Sequence, residues 1–164
     1  MVQLDGANTF AGEEARILII GATNRPDDLD EAVKRRLSKR LYIPLPNAAG
    51  RRQFLQRLVD SQKNQAVQHL NMDEASIEEL VKLTKGYSGA DLKVLSAEAA
   101  MIPLRSIMDI ANVDINNIRK TELVDFKAAL NMVKATVNQD DLQEYMDWND
   151  KYGSFPISPE DLKD

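Results

Sequence analysis

The chain has no cysteine and a single histidine, His69. That excludes disulfides, thiolate metal sites and a cysteine nucleophile, and a lone imidazole cannot hold a metal without distant carboxylates. His69 lies in a polar segment and reads as an exposed loop residue. Aromatic residues make up only 5% of the chain, with one tryptophan, so each large ring counts for packing. No apolar run is long enough to span a bilayer, and the first residues lack the basic and apolar regions of a secretion signal. A cytoplasmic or nuclear setting is the expectation. Internal repeats and low-complexity segments are also missing. What remains is a globular composition: 164 residues, 43% hydrophobic and 29% charged, enough to bury one core of ordinary size. The formal charge of -5 argues against a general nucleic-acid binder.

Readable chemistry is concentrated in residues 17–46, ILIIGATNRPDDLDEAVKRRLSKRLYIPLP. Ile17, Leu18, Ile19 and Ile20 form a β-favouring run ended by Gly21, which reads as a strand buried on both faces in a parallel sheet. Thr23, Asn24 and Arg25 follow, and Pro26 stops a helix from running back through them. Asp27, Asp28 and Asp30 offer N-caps for a short helix through Lys34 and Arg36. Leu41, Tyr42 and Ile43 make a second short strand closed by Pro44 and Pro46. Ligands of open α/β sheets bind beyond the carboxyl ends of the strands, so Asn24 stands where an amide could hold a water or touch a phosphate oxygen. The same residue type also closes loops through Asx turns. Lys34, Arg35, Arg36, Lys39 and Arg40 place five cations within seven residues of an acidic chain. Such a run is either a solvated basic face or a site for an anionic partner, nucleic acid included.

GATNRPDDLDEAVKRRLSKRLYIPLP resembles the second half of the ATPase module of AAA ATPases, in the branch that holds katanin, spastin, fidgetin and the Vps4 proteins. VQLDGA near the start, SKRLYIPLP, and DLQEYMDWNDKYG near the end are most similar to the fidgetin-like group. The resemblance covers residues 2 to about 153. It implies that Asn24 is the sensor-1 residue that positions the attacking water near the γ-phosphate. It also implies that Arg35 and Arg36 are arginine fingers reaching into a neighbouring subunit's nucleotide site. An always charged, planar guanidinium suits charge developing on a transferring phosphoryl group. Leu37 departs from the phenylalanine that often follows the two arginines, which changes the packing beneath them. The phosphate-cradling loop GxxxxGK[ST] and the acidic strand end for magnesium do not occur in the chain, so on its own it is expected not to hydrolyse ATP.

Beyond Pro46 the pattern changes from period two to helical period, which sets a domain boundary there. Residues 1–46 are then the end of a large α/β subdomain, 47–137 a helical lid, 138–153 a C-terminal helix and 154–164 a flexible tail. The resemblance implies an α/β P-loop AAA+ module, represented here by two strands and a dominant all-α bundle of five amphipathic segments. The first lid helix starts near Asn47 or Ala48, with Phe54, Leu55, Leu58 and Val59 inward and Arg51, Arg52, Gln56 and Arg57 outward, and ends before the polar run at 61–65. Ser76 and Glu79 fit a capping box for the second, with Gly86 as its C-cap. Ser88 caps the third, which Pro103 should kink or restart, with Leu104, Ile107 and Met108 continuing its face. Residues 111–120 are a polar connection. A fourth helix runs from about Thr121 and a fifth from near Asn138.

In the lid, GYSGADL resembles the segment that contacts adenine and ribose, which makes Gly89 and Ala90 cofactor-binding positions. Phe54 corresponds to an apolar residue packed against the base, and helical spacing equally makes it a core aromatic. No arginine stands between Lys85 and Met101, where many relatives outside this branch carry sensor 2. The last helix resembles one that packs back on the large domain, with Trp148 and Tyr152 as anchors. Taken with the resemblance, the whole protein would be a homo-hexameric ring that uses ATP and Mg2+ to pull on a protein polymer, tubulin or a recombinase filament. No resident metal is expected in this chain, and direct nucleic-acid binding is not the expectation. A non-catalytic helical interaction module and a basic-patch nucleic-acid binder are the alternatives.

Overall fold

The computed structural model describes residues 18–63, 69–107 and 118–158. The expected loop at 7–14, Ile17, Met108, residues 111–117 and the tail from 159 lie outside the described residues. The described residues form two compact units: 18–42 with 147–156, and 43–146 with 157–158.

The larger unit is helical. Its helices are α2 (Ala48–Lys63), α3 (Glu74–Leu83), α4 (Gly89–Arg105) and α5 (Leu123–Ala129); α1 (Glu31–Arg36) belongs to the smaller unit, and α6 (Gln139–Tyr152) starts in the larger unit and ends in the smaller. α4 packs against α2 and α5, and α3 also meets both of those helices. The core they enclose is built from Leu55, Ile77, Leu80, Val81, Tyr87, Leu92, Leu95, Ala99, Phe126 and Ala129. These positions recur at three- and four-residue spacing, which places one stripe of each helix inward.

All of these helices but α5 start from a short polar side chain that accepts a first-turn N–H. Asn47 Oδ1 accepts from the Gly50 N–H at 2.9 Å and begins α2. Asp73 Oδ1 accepts from the Ser76 N–H at 2.8 Å and begins α3. This corrects the Ser76–Glu79 capping box: an aspartate three residues earlier takes the N–H of Ser76, so Ser76 is the donor and not the cap. Ser88 and Asp91 form the capping box of α4, and Asn138 accepts from the Asp141 N–H at 2.7 Å to start α6. After α3, Gly86 adopts a positive φ of 79°, the left-handed turn that glycine allows at a helix end. α2 runs on to Lys63 through the start of the segment read as polar, and α4 passes through Pro103 to end two residues later.

Arg51 corrects the reading of α2 as polar on its arginine face, because it is 2% exposed. Its Nε and Nη2 donate to the Val81 carbonyl at 3.3 and 3.1 Å, and Nη1 donates to the Pro46 carbonyl at 3.0 Å. Val81 lies in the last turn of α3, where carbonyls lack helical partners and carry the negative end of the dipole. Arg51 therefore buries its stem and still satisfies its charge. Arg119 was likewise read only as part of a polar connection. It makes a two-pronged bond to the buried Asp125, 2.7 Å on each arm, while Asp125 also accepts from the Glu122 N–H. Among the described residues the larger unit has one β-type contact, a parallel bridge between Leu70 and Thr121 beside the exposed His69.

The two extended runs differ from expectation. Residues 18–20 and 41–43 join no sheet among the described residues, and Leu18, Ile20 and Ile43 are 82, 81 and 80% exposed. The reading as a strand buried on both faces is corrected accordingly. A strand, unlike a helix, takes its backbone partners from elsewhere, and among the described residues no sheet forms around these runs.

Candidate functional site

The smaller unit holds the segment with the richest chemistry. After the extended run, Thr23 closes a local turn, its Oγ1 accepting from the Arg25 N–H at 2.9 Å. Asn24 is exposed at that turn. The usual Asx turn on Asn24 would need an N–H two residues on, and Pro26 has none. The Leu29 N–H donates to the Pro26 carbonyl at 3.3 Å, and Arg25 pairs with Asp28 at 3.0 Å. This leads into α1, which Asp30 caps by accepting from the Val33 N–H at 2.7 Å.

Arg35 and Arg36 fall in the last turn of α1, at the negative end of its dipole, and both are exposed. Each has a contact within its own helix. Arg35 approaches Glu31 at 3.6 Å, and Arg36 Nη1 donates to the Ala32 carbonyl at 3.3 Å. Both pairings are solvated and weak, worth well under about 1 kcal/mol. Glu31, Ala32, Arg35 and Arg36 line an open surface hollow. Leu37, at the end of the helix, is half-buried, and its side chain faces Gly21.

The five-cation cluster is divided by its surroundings. Arg40 donates from Nη1 to the Tyr152 carbonyl at 3.1 Å and from Nη2 to the Lys34 carbonyl. Its backbone pairs with Ser154, whose N–H donates to the Arg40 carbonyl at 2.9 Å and whose Oγ accepts from the Arg40 N–H at 3.0 Å. Lys34 Nζ stands 5.7 Å from the Tyr152 ring centre, and Lys151 Nζ stands 5.0 Å from it. Trp148 packs on the same ring, centroids 5.4 Å apart. A uniform basic face for nucleic acid is thereby disfavoured, since part of the cluster is tied up by the chain's own residues. Ser154 and Phe155, read as the start of the tail, are held: Asn149 Nδ2 donates to the Phe155 carbonyl at 3.2 Å.

The lid positions lie in the larger unit. Gly89 and Ala90 are exposed in the first turn of α4, and the space where a Gly89 side chain would project is open. Helix N-termini offer free N–H groups to an anion, and here Ser88 and Asp91 already use some of them. Asp91 is buried. Burial pushes its carboxyl up, yet the bonds from the Ser88 N–H and hydroxyl and from Thr136 outweigh it and leave it below the usual range. Phe54 is half-buried against the core, its position as a core aromatic. Among the described residues no cluster of His, Asp or Glu could hold a metal, and no helix is long and apolar enough to cross a membrane.

The residues most easily missed in the sequence are Arg40 and Ser154. They are 114 positions apart. Nothing in the local pattern separates Arg40 from its four cationic neighbours.

Comparison with known proteins places these features. Residues 1–45 match the family of ATPases associated with various cellular activities, 74–120 the AAA+ lid domain and 104–153 the Vps4 C-terminal oligomerisation domain. Fidgetin-like protein 1 of Xenopus laevis is 44% identical over 155 residues, 93% of this chain and 22% of that protein. Spastin of Naegleria gruberi is 40% identical over 94% of this chain and 29% of its own length. The chain therefore spans less than a third of these curated relatives. Among solved structures, the FIGL-1 AAA domain superposes with a TM-score of 0.81 at 42% identity, over 94% of this chain and half of that one, and it is also known with ADP. A katanin structure described for its self-assembly gives 0.63 at 29% identity, over 79% of this chain and 46% of that one.

Proposed function

Since the chain is a C-terminal portion of an AAA ATPase module of the fidgetin, spastin and katanin class, we propose that it supplies the water-positioning and trans-acting half of a nucleotide-driven ring motor. In this reading Asn24 is sensor 1 and orients the attacking water. Arg35 and Arg36 enter the neighbouring subunit's site and stabilise charge on the γ-phosphoryl group. Gly89 and Ala90 admit the adenosine, with Phe54 beside the base, and the lid couples nucleotide state to subunit rotation. ATP and Mg2+ are held by the parts of the module that carry the phosphate loop, so the chain alone is inactive. The assembly is a homo-hexamer, and its substrate is a protein polymer, tubulin or a recombinase filament, remodelled in the cytoplasm or nucleus.

The observation that carries this reading is the placement of Arg35 and Arg36. They stand exposed in the last turn of an Asp30-capped helix while Lys34 and Arg40 are engaged by the chain's C-terminal segment. Exposed guanidinium groups at a helix end are accessible to a neighbouring subunit. The test is steady-state ATPase activity of the full-length protein carrying Arg35→Ala and Arg36→Ala. The expected result is a fall in kcat of about a hundredfold or more with nucleotide binding retained, the scale of a lost arginine finger. Unchanged kcat in an assembled ring would overturn it and leave a helical interaction module as the better reading.

A further inference from the structure

Two helices of the smaller unit end against the same side chain. In α1 the N–H of Leu37 takes the Val33 carbonyl at 2.9 Å, and in α6 the N–H of Gly153 takes the Asn149 carbonyl at 2.7 Å. These are the fourth-last carbonyls of their helices, and each end leaves three more without a helical partner. One guanidinium then takes one further carbonyl from each end, Lys34 in α1 and Tyr152 in α6. Both acceptors sit at negative dipole ends, and a rigid fork with five donors is suited to hold two of them in fixed relation. A lysine in the same place could hold only one at a time with defined geometry.

The backbone of Arg40 is itself fixed. Its N–H and carbonyl both pair with Ser154, and Ser154 Oγ lies 3.4 Å from the Ser38 carbonyl. The close turn that brings Ser154 there depends on Gly153, where an added Cβ would run into the side chain and carbonyl of Asn149. Lys34, whose carbonyl Arg40 holds, directly precedes Arg35 and Arg36. The same guanidinium thus fixes the last turn of the helix that carries both fingers.

We propose that Arg40 is a positioning residue for Arg35 and Arg36: by bridging the C-terminal ends of α1 and α6 it sets the direction in which the fingers leave the surface. This rests on the finger reading and adds to it a residue that touches neither nucleotide nor phosphate. Misplacing a catalytic group by an ångström costs about a hundredfold in rate. Loosening the bridge should therefore lower kcat while leaving the KM for ATP nearly unchanged, because ground-state binding uses other groups.

The experiment is a double-mutant cycle on kcat in the full-length protein, with ring assembly checked by sedimentation for each variant. It compares wild type, Arg40→Gln, the pair Arg35→Ala with Arg36→Ala, and all three substitutions together. Arg40→Gln alone should lose about tenfold to a hundredfold in kcat, and it should cost nothing further once the fingers are gone. Losses that multiply in the triple variant would show that Arg40 acts independently of the fingers and would overturn the proposal while leaving the fingers standing. A finger pair that can be removed without effect would overturn both. If Arg40→Gln does not assemble, Arg40→Lys serves in its place. It keeps the charge, loses the fork and should show an intermediate loss with the same non-additivity; wild-type kcat in that variant would show that charge alone suffices and would overturn the bridge.

Discussion

Ile77 and Ile20 are the same residue type in the same chain, yet one is 2% exposed and the other 81%. Ile77 lies on α3 of the larger unit, where each helix satisfies its own backbone and needs neighbours only for its apolar stripe. Four helices meet that need from within the chain. Ile20 lies in an extended run whose N–H and C=O groups must find another strand before its side chains can be covered. The smaller unit is held instead by polar ties, with Arg40, Ser154 and Tyr152 at their centre. One unit is stabilised by burial and the other by a few directed bonds, so substitutions in the two should differ in size and in kind.

The largest expected effect is in the helical unit. Phe126 is 1% exposed between α5 and its neighbours, and Phe126→Ala should cost about 3–5 kcal/mol of stability, through lost transfer energy and an unfilled cavity. Urea unfolding followed by circular dichroism measures it, and a loss below about 1 kcal/mol would mean that the core is not closed around the ring. A smaller effect comes from acid. The bond from Arg119 holds the Asp125 carboxyl below the usual range, and Asp91 also sits below it, its hydrogen bonds outweighing burial. Groups with depressed folded pKa values contribute stability above the unfolded value, about 3.9 for aspartate, and lose it as pH falls through the folded value. The melting temperature should hold down to about pH 5 and then fall below about pH 4, and Asp125→Asn, less stable at neutral pH, should flatten that fall. The smallest effect is in the other unit. Ile20→Ala should change stability by no more than about 0.5 kcal/mol, as at any exposed position. A cost like that of Phe126→Ala would mean that residues 18–20 are covered in solution.

The same contrast explains what could be read from the sequence. Helix positions followed from spacing; the Ser88 cap followed from a short polar residue with an N–H to take three residues on, Asp30 was one of three aspartates offered for α1, and α6 begins at Asn138 as its pattern suggested. These are local rules and need no knowledge of the rest of the fold. Asp73 displaced Ser76 because both obey the same rule and the earlier residue took the bond. Arg51 was misplaced for a different reason: a helical wheel marks it polar but cannot show that the end of α3 lies within reach. Burial of residues 18–20 failed likewise, since period and composition say that a run is suited to a sheet and not whether a neighbour is there. Arg35, Arg36 and Asn24 were singled out by the resemblance, and all three lie at the surface. The bridge from Arg40 to Tyr152 was not, because 112 residues separate its ends.

The most direct test of trans action is the ATPase rate of the full-length protein mixed with rising fractions of its Arg35→Ala, Arg36→Ala variant at constant total concentration. If the arginines act across subunits of one ring, each variant subunit silences a neighbour, and activity falls more steeply than the wild-type fraction. Activity that falls only in proportion to dilution would mean that every subunit works alone, and the fingers with the ring built on them would be contradicted.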